Sequence, residues 1–309
     1  MKIFNSINDF VCSKKTILTL GTFDGVHIGH RKILEKVTQN VKTDTTESLV
    51  LTFFPHPRMV LKGQSDVKLL NTIGEKIDLL ENLGVQNLVI HPFDKEFSKL
   101  SAEEFVKTVL VDRFHIQKII IGHDHRFGRN RTANIDDLIA FGKQYDFEVE
   151  QISVQEIKQV SISSTKIRKA LTEGKMALAN DYLDYEYFLT GKVSKGKQLG
   201  RTIGFPTANL MIEENDKLIP RKGVYVVKSI INQKTVFGMM NIGFNPTVSG
   251  EKLSIEVHYF DFDAELYDQE IRVFILEYLR SEQKFDSVAL LKEQLEKDKN
   301  AALNYIKSL

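Results

Sequence analysis

At 309 residues the chain is longer than one ordinary domain and suits two, and 42% hydrophobic with 27% charged residues is a folded globular composition. A net charge of +1 provides no basic footprint for nucleic acid or an anionic membrane, so any anion site has to be built locally. The one cysteine, Cys12, excludes an internal disulfide and a cysteine metal cluster; with no apolar leader and no run of membrane-spanning length, the expectation is a cytoplasmic protein.

In chain order, the first half alternates strand-like and helix-like segments. Strands are expected at Thr16–Leu20, Ser48–Phe54, Gln86–Ile90, Gln117–Ile121 and Phe147–Ile152, all short and rich in Val, Ile, Leu or Phe. Helix starts are marked between them. Thr72 with Glu75 and Ser101 with Glu104 have capping-box spacing, and Asn134 can cap the helix that carries Asp136 and Leu138. Repeated strand–helix units predict a parallel sheet covered on both faces, which binds ligands at the carboxyl ends of its strands. Two such ends carry GTFDGVHIGH (21–30) and IGHDHRFG (121–128).

The stretch GTFDGVHIGH leaves the apolar strand TILTL and opens a helix. A helix N-terminus offers unpaired N–H groups and the positive end of the dipole, so a glycine-bearing turn there is an anion site in waiting. His27 and His30, three apart, project from one side of that turn, and Gly29 between them lets a group approach the backbone. Taken singly, each histidine is a surface or capping residue. Taken with Gly25 and Gly29, the pair suits a polyphosphate, because each imidazole can donate to phosphate oxygen.

Further along, ISSTKIRKAL (162–171) starts a helix with Ser163 and Ser164 as caps and Thr165, Lys166 and Arg168 in or near its first turn. Cations there oppose the helix dipole, so they are poor choices for helix stability alone. A solvated basic helix and a phosphate holder are both open readings, and the first motif favours the second. The helical stretch ends near residue 183, and the pattern changes. Strands follow without intervening helices at Tyr187–Val193, Gly223–Ile231, Thr235–Ile242, Leu253–Tyr259 and Ile271–Leu279, which predicts an antiparallel barrel or sandwich. A last helix is expected from about Asp286 to Ser308.

Two motifs in the second half bear on chemistry. GKVSKGK (191–197) matches the opening of a P-loop, but Gln198 replaces the hydroxyl residue and no strand-to-helix turn follows, so the P-loop reading is rejected. In GFPTAN (204–209), Thr207 and Asn209 alternate, so an extended segment turns both oxygen-bearing side chains one way. They are hard ligands suited to a magnesium ion shared with ATP phosphates; a plain turn is the competing reading.

GTFDGVHIGH followed by ISSTKIR resembles the HxGH nucleotidyltransferase superfamily. HPR (56–58) and GHDHRFG (122–128) narrow the resemblance to the adenylyltransferase module of bacterial FAD synthetases. The resemblance implies transfer of AMP from ATP to FMN. It also implies that His27, His30, Ser164, Thr165 and Arg168 contact ATP phosphates, that Gly21, Phe23 and Asp24 line the nucleotide pocket beside Gly29, and that Arg58 and Asp124 lie in the flavin cleft. After RFG the chain reads RNRTANIDDL, where that family commonly has a glycine beyond Arg131; the expectation is that Thr132 or Ala133 tightens the loop.

The run Gly191–Leu210 resembles the riboflavin kinase signature, and MMNIGFNPT (239–247), SIEVHYFDFDAELY (254–267) and YLRSEQKF (278–285) extend the likeness. This implies that Glu256 is the base for the ribityl hydroxyl, with Thr207 and Asn209 on the metal, Gly196 and Arg201 near ATP, and Arg280 near the flavin. On spacing alone, Glu256 is one polar member of the alternating run Ser254–His258.

Together these features lead to an α/β parallel-sheet, Rossmann-like domain over 1–183 and an antiparallel β-barrel with a terminal helix over 184–309. The expected activity is phosphorylation of riboflavin to FMN in the barrel and adenylylation of FMN to FAD in the α/β domain, both with Mg2+ and ATP. Two alternatives stand beside it. One is nucleotidyl transfer to another phosphate-bearing acceptor; the other is a flavin sensor that binds without turnover.

Overall fold

The computed structural model describes all residues except 43, 63–66, 123–125, 153–161, 197–198 and 248–249. The chain divides into two compact units, Met1–Ser163 and Ser164–Leu309.

The first unit is a parallel sheet of β1 (Lys2–Phe4), β2 (Lys15–Leu20), β3 (Thr46–Phe53), β4 (Asn87–His91), β5 (Ile116–Gly122) and β6 (Glu148–Ile152), in the order β1-β4-β3-β2-β5-β6. The side-chain period of two sends alternate residues to opposite faces. Leu18, Leu49, Leu51, Val89, Ile119 and Ile121 join Val106, Leu110 and Leu138, which belong to the helical segment 102–111 and the helix Ile135–Tyr145. On the other face, Val50 and Leu88 pack with Leu34 and Leu80, while Ile17 and Ile120 pack with Ile33 and Val37. Helices therefore cover both faces, as the alternating pattern predicts.

The strand order reverses between β2 and β5, which are hydrogen-bonded neighbours. The chain leaves β2 towards β3 on one side and leaves β5 towards β6 on the other, so the loops after them diverge. Such a crevice at the carboxyl edge is where open α/β sheets bind ligands. GTFDGVHIGH follows β2, and the segment holding Asp124 follows β5; Asp124, with His123 and His125, lies outside the described residues. Past it, the loop closes through Phe127 and Ala133, whose backbones exchange hydrogen bonds of 3.1 and 3.2 Å. Gly128 (φ 71°), Asn130 and Arg131 (both 57°) take positive φ angles there, whereas Thr132 does not (φ −76°).

The second unit is a closed antiparallel barrel of β7 (Phe188–Ser194), β8 (Ala208–Met211), β9 (Gly223–Ile231), β10 (Lys234–Thr247), β11 (Gly250–Tyr259) and β12 (Glu270–Arg280), in the circular order β10-β11-β8-β7-β12-β9. Closure leaves no unpaired sheet edge. Gly191 sits inside β7, where an added Cβ would meet the Met211 carbonyl at 2.6 Å, so it serves strand packing. The last helix, Val288–Ile306, is capped by Ser287 and covers one side of the barrel wall, where Leu295, Ala302, Leu303 and Ile306 pack with Val224, Val226, Met239 and Phe260.

Two helices precede the barrel, Ser164–Glu173 and Met176–Leu183, separated at Gly174 (φ +77°). Arg221 N–H donates to the Leu171 carbonyl at 3.0 Å, and the Asn180 amide donates to the Ile275 carbonyl at 3.0 Å while its oxygen accepts from Tyr187 N–H at 2.8 Å. These bonds group residues 164–183 with the barrel, whereas the sequence pattern places them with the α/β half.

All three expected caps form, those of Thr72 with Glu75, Ser101 with Glu104 and Asn134 with Asp137. Asn134→Ala removes the acceptor for Asp136 and Asp137 N–H and is expected to destabilise the first unit by about 1 kcal/mol. Urea unfolding followed by a probe in each unit checks this, with the barrel transition unchanged.

Candidate active sites

In the first unit, His27 occupies the N-cap of the helix Ile28–Gln39 with extended backbone and no side-chain capping bond. Its imidazole therefore leaves the orphan N–H groups of the first turn uncovered. The His27 and His30 rings stack, 3.7 Å between centroids and 18° between planes, so the spacing of three brings the pair together as expected. Phe23 closes the other side of His30 edge-on at 5.2 Å. His30 Nδ1 is buried without a hydrogen-bond partner among the described residues, an arrangement that costs roughly 1–3 kcal/mol and is tolerated where a ligand is to bind. Burial, then His27, then the Lys76 charge hold His30 well below the ordinary histidine range, so it is neutral at pH 7.

The remaining residues of the motif shape the loop. Gly21 N–H donates to the Leu51 carbonyl at 3.0 Å, which extends the β2–β3 pairing by one residue. Phe23 (φ 45°), Gly25 (φ 89°) and Val26 (φ 36°) make the sharp turn, and Gly29 is buried within the helix start. Phe23 is buried in the core rather than open to a ligand. Asp24 is also buried, and its Oδ1 accepts from Leu70 N–H at 2.8 Å. Both residues thus hold the loop in shape beside the histidine pair. Arg58 lies on the short helix Pro57–Lys62 after β3, at the same carboxyl edge. Ser164, Thr165 and Arg168 open the helix Ser164–Glu173, with Ile167, Ala170 and Leu171 turned inward and Thr165 exposed.

In the second unit, a cavity of about 420 Å³ lies against the barrel wall. It is lined by Thr207, Asn209 and Glu256, together with Gly196, His258 and Arg280. β8 and β11 bring the central three together, because Asn209 and Glu256 are register partners across the strands. Thr207 Oγ1 donates to Glu256 Oε2 at 3.3 Å, and Ser254 Oγ donates to Oε1 at 2.8 Å, so both carboxylate oxygens are aimed. Glu256 and His258 share the face that continues to Phe260 under the terminal helix, while Ile255 and Val257 turn the other way.

The donor set fits a magnesium ion carried in by ATP. A hydroxyl, a carboxamide and a carboxylate are oxygen ligands, and Mg2+ at such sites takes few protein ligands beside phosphates and water. Among the described residues, no group of three or more His, Cys, Asp or Glu side chains forms a cage of its own.

Two sequence-picked residues take different parts here. Gly196 supports Asn209, since a Cβ at 196 would lie 2.2 Å from the Asn209 amide nitrogen. Arg280 lines the cavity, yet its Nε and Nη2 donate to Asp298 at 2.8 and 2.6 Å and its Nη1 donates to the Ser281 carbonyl at 3.0 Å, which makes it a strap to the terminal helix. Arg201 is exposed on the short helix Leu199–Thr202 and is absent from the described lining.

Sequence reasoning missed Asp298 and His258. Asp298 is buried on a helix dense in Glu and Lys, where nothing distinguishes it. His258 donates from Nδ1 to the Pro206 carbonyl at 2.8 Å, directly before Thr207, and burial holds it below the usual histidine range. The signal for it was present, two residues beyond Glu256 on the same strand face.

Comparison with known proteins follows this division. The FAD synthetase family model matches residues 10–166, and the riboflavin kinase model matches residues 183–306. A bifunctional riboflavin kinase/FMN adenylyltransferase of Listeria monocytogenes is 39% identical over 91% of this chain and 90% of its own length. Its counterpart in Bacillus subtilis is 37% identical over 96% and 94%. A crystal structure described as a macrolide-efflux protein from Streptococcus pneumoniae has a TM-score of 0.88 at 30% identity over 98% of both chains. Among the described residues, no helix is long and apolar enough to cross a membrane.

Gly196→Ala forces Asn209 aside, a distortion of about 1–3 kcal/mol that should weaken binding of Mg2+ and an ATP analogue at this cavity roughly tenfold or more. Titration calorimetry on the full chain measures the loss.

Proposed function

Since the chain belongs to the bifunctional riboflavin kinase/FMN adenylyltransferase family, we propose how its two sites divide the work of making FMN and FAD from riboflavin and ATP. The observation that supports the division most is the grouping of Thr207, Asn209 and Glu256 on one cavity wall, in a unit separate from the stacked histidines. We assign adenylyl transfer to 1–183 and phosphorylation to 184–309. Both reactions belong in the cytoplasm on this reading.

In phosphorylation the ribityl hydroxyl oxygen attacks the γ-phosphorus of ATP, the bond to the β-phosphate oxygen breaks, and ADP leaves. The nucleophile is neutral, so its proton must go to a base, and Glu256 receives it. Ser254 and Thr207 hold that carboxylate in place beforehand. Thr207 and Asn209 would hold an Mg2+ ion, which would supply neutralisation of phosphate charge. The flavin lies towards Arg280.

In adenylyl transfer an FMN phosphate oxygen attacks the α-phosphorus, and pyrophosphate leaves. That nucleophile is already anionic at neutral pH, so no base is needed and the work is alignment and charge stabilisation. His27, His30 and the N–H groups of the helix start supply donors for the triphosphate. Phosphate charge beside His30 would favour its protonated form, opposing the burial that holds it neutral. Ser164, Thr165 and Arg168 are assigned to the ATP phosphates by their likeness to the family motif, as are Arg58 and Asp124 to the flavin.

With riboflavin, Mg2+ and ATP, the protein should accumulate FMN and then FAD. Glu256→Gln should lower FMN formation by about a hundredfold or more while FMN-to-FAD conversion continues, and His30→Ala should do the reverse. Loss of both activities in either folded variant would contradict separate sites.

A further inference from the structure

Lys76 stands outside every role assigned above. It lies in the first turns of the helix Ile73–Asn82, one residue past the capping box of Thr72 and Glu75, and is only 6% exposed. A cation near a helix N-terminus opposes the dipole, and a buried ammonium carries a large desolvation cost. A position after the cap usually takes an apolar residue that packs against the incoming chain. The lysine is therefore unfavourable for the helix and for the core, which directs attention to what its charge touches.

Its Nζ donates to the Thr22 carbonyl at 2.7 Å. That carbonyl also accepts from Thr52 Oγ1 at 3.3 Å, so it is held from both sides. The ammonium feels the Asp24 carboxylate, whose Oδ1 is bound to Leu70 N–H just before the cap. On the other side it is one of the charges that hold His30 neutral. Asp24 from the loop and His30 from the helix Ile28–Gln39 are the titratable groups facing it. Glu75, its neighbour, is turned to the Thr72 N–H.

We propose that Lys76 is a positioning residue for adenylyl transfer, its buried ammonium holding the Thr22 carbonyl so that the loop presents His27 and His30 to the triphosphate. The proposal rests on the reading of the histidine pair given above. Lys76 acts through the loop and takes no part in bond making. Its charge sets the geometry, so its attraction to Asp24 and the strong form of the bond to Thr22 go when the proton goes. Burial lowers its pKa from 10.5 to about 8. Because the folded value lies below the unfolded one, proton loss between these values favours the folded state. Activity lost in that window is therefore not lost to unfolding of the first unit on account of this group.

The test uses the full chain and follows FAD formation from FMN and ATP, with riboflavin phosphorylation in the same preparation as the internal control. Lys76→Met should raise KM for ATP and lower kcat/KM of FAD formation by about ten- to a hundredfold, leaving phosphorylation unchanged. In the unaltered protein, kcat/KM for FAD formation should fall as pH rises through about 8, a limb that Lys76→Met should lack. A Lys76→Met protein with wild-type kcat/KM and the same alkaline limb would overturn the proposal. So would a wild-type profile flat from pH 7 to about 9.5, a result that does not depend on the variant folding. His30→Ala run alongside separates the two readings. If it leaves FAD formation intact, the histidine assignment fails; if it abolishes FAD formation while Lys76→Met does not, only the lysine proposal fails.

Discussion

Backbone donors are the scarce resource in a folded chain. A strand gives its N–H groups to its neighbours and a helix gives its own to preceding carbonyls, so donors remain only where one element hands over to the next. In the first unit that handover is the turn from β2 into the helix Ile28–Gln39, at the point where the strand order reverses. His27 at the N-cap makes no side-chain cap for those donors. The loop that makes this work is held by buried groups, Asp24 on Leu70 and Lys76 on Thr22, rather than by its own hydrogen bonding alone. The barrel lines its cavity differently. It solves the same problem with side-chain oxygens on β8 and β11, strands too tightly paired to offer backbone donors.

On the proposed assignment, the two solutions match two nucleophiles. A phosphate arrives charged and asks only for donors and alignment, which imidazoles and a helix terminus provide. An alcohol must lose a proton, and the barrel places a carboxylate where two hydroxyls hold it still. Glu256, Thr207 and Asn209 come from strands far apart in sequence, yet one register of β8 on β11 brings them together. The register matters because a slip of one residue would turn Glu256 to the opposite face. His258, bonded to the Pro206 carbonyl, pins the segment that carries Thr207 to the strand that carries Glu256.

How much of this was legible depended on length and burial. The five longer strands of the sheet and the three capped helices were readable, because a buried parallel strand is a continuous apolar run and a cap is local chemistry. β1 and β8 were not. Lys2–Phe4 has three residues, two of them exposed, and Ala208–Met211 has four; pairing alone makes each a strand. The histidine pair was legible because a spacing of three on a helix puts two rings together whatever surrounds them. The burial of Asp24 and Phe23 was not legible, because a motif shows which residues belong to a loop without showing which of them face inward. Ser254–His258 looked like an exposed alternating face, and only the terminal helix, remote in sequence, shows that this face is covered. Lys76 and Asp298 carry the same lesson, since a charged residue on a helix normally means solvent and tertiary contact alone reverses that expectation.

The account stands on two separate places for ATP in one chain. Titration calorimetry of the full-length protein with a non-hydrolysable ATP analogue and Mg2+ counts them directly. Two equivalents bound per chain, one weakened by Gly196→Ala and the other by His30→Ala, is the predicted result. A single equivalent, lost with either substitution, would contradict it.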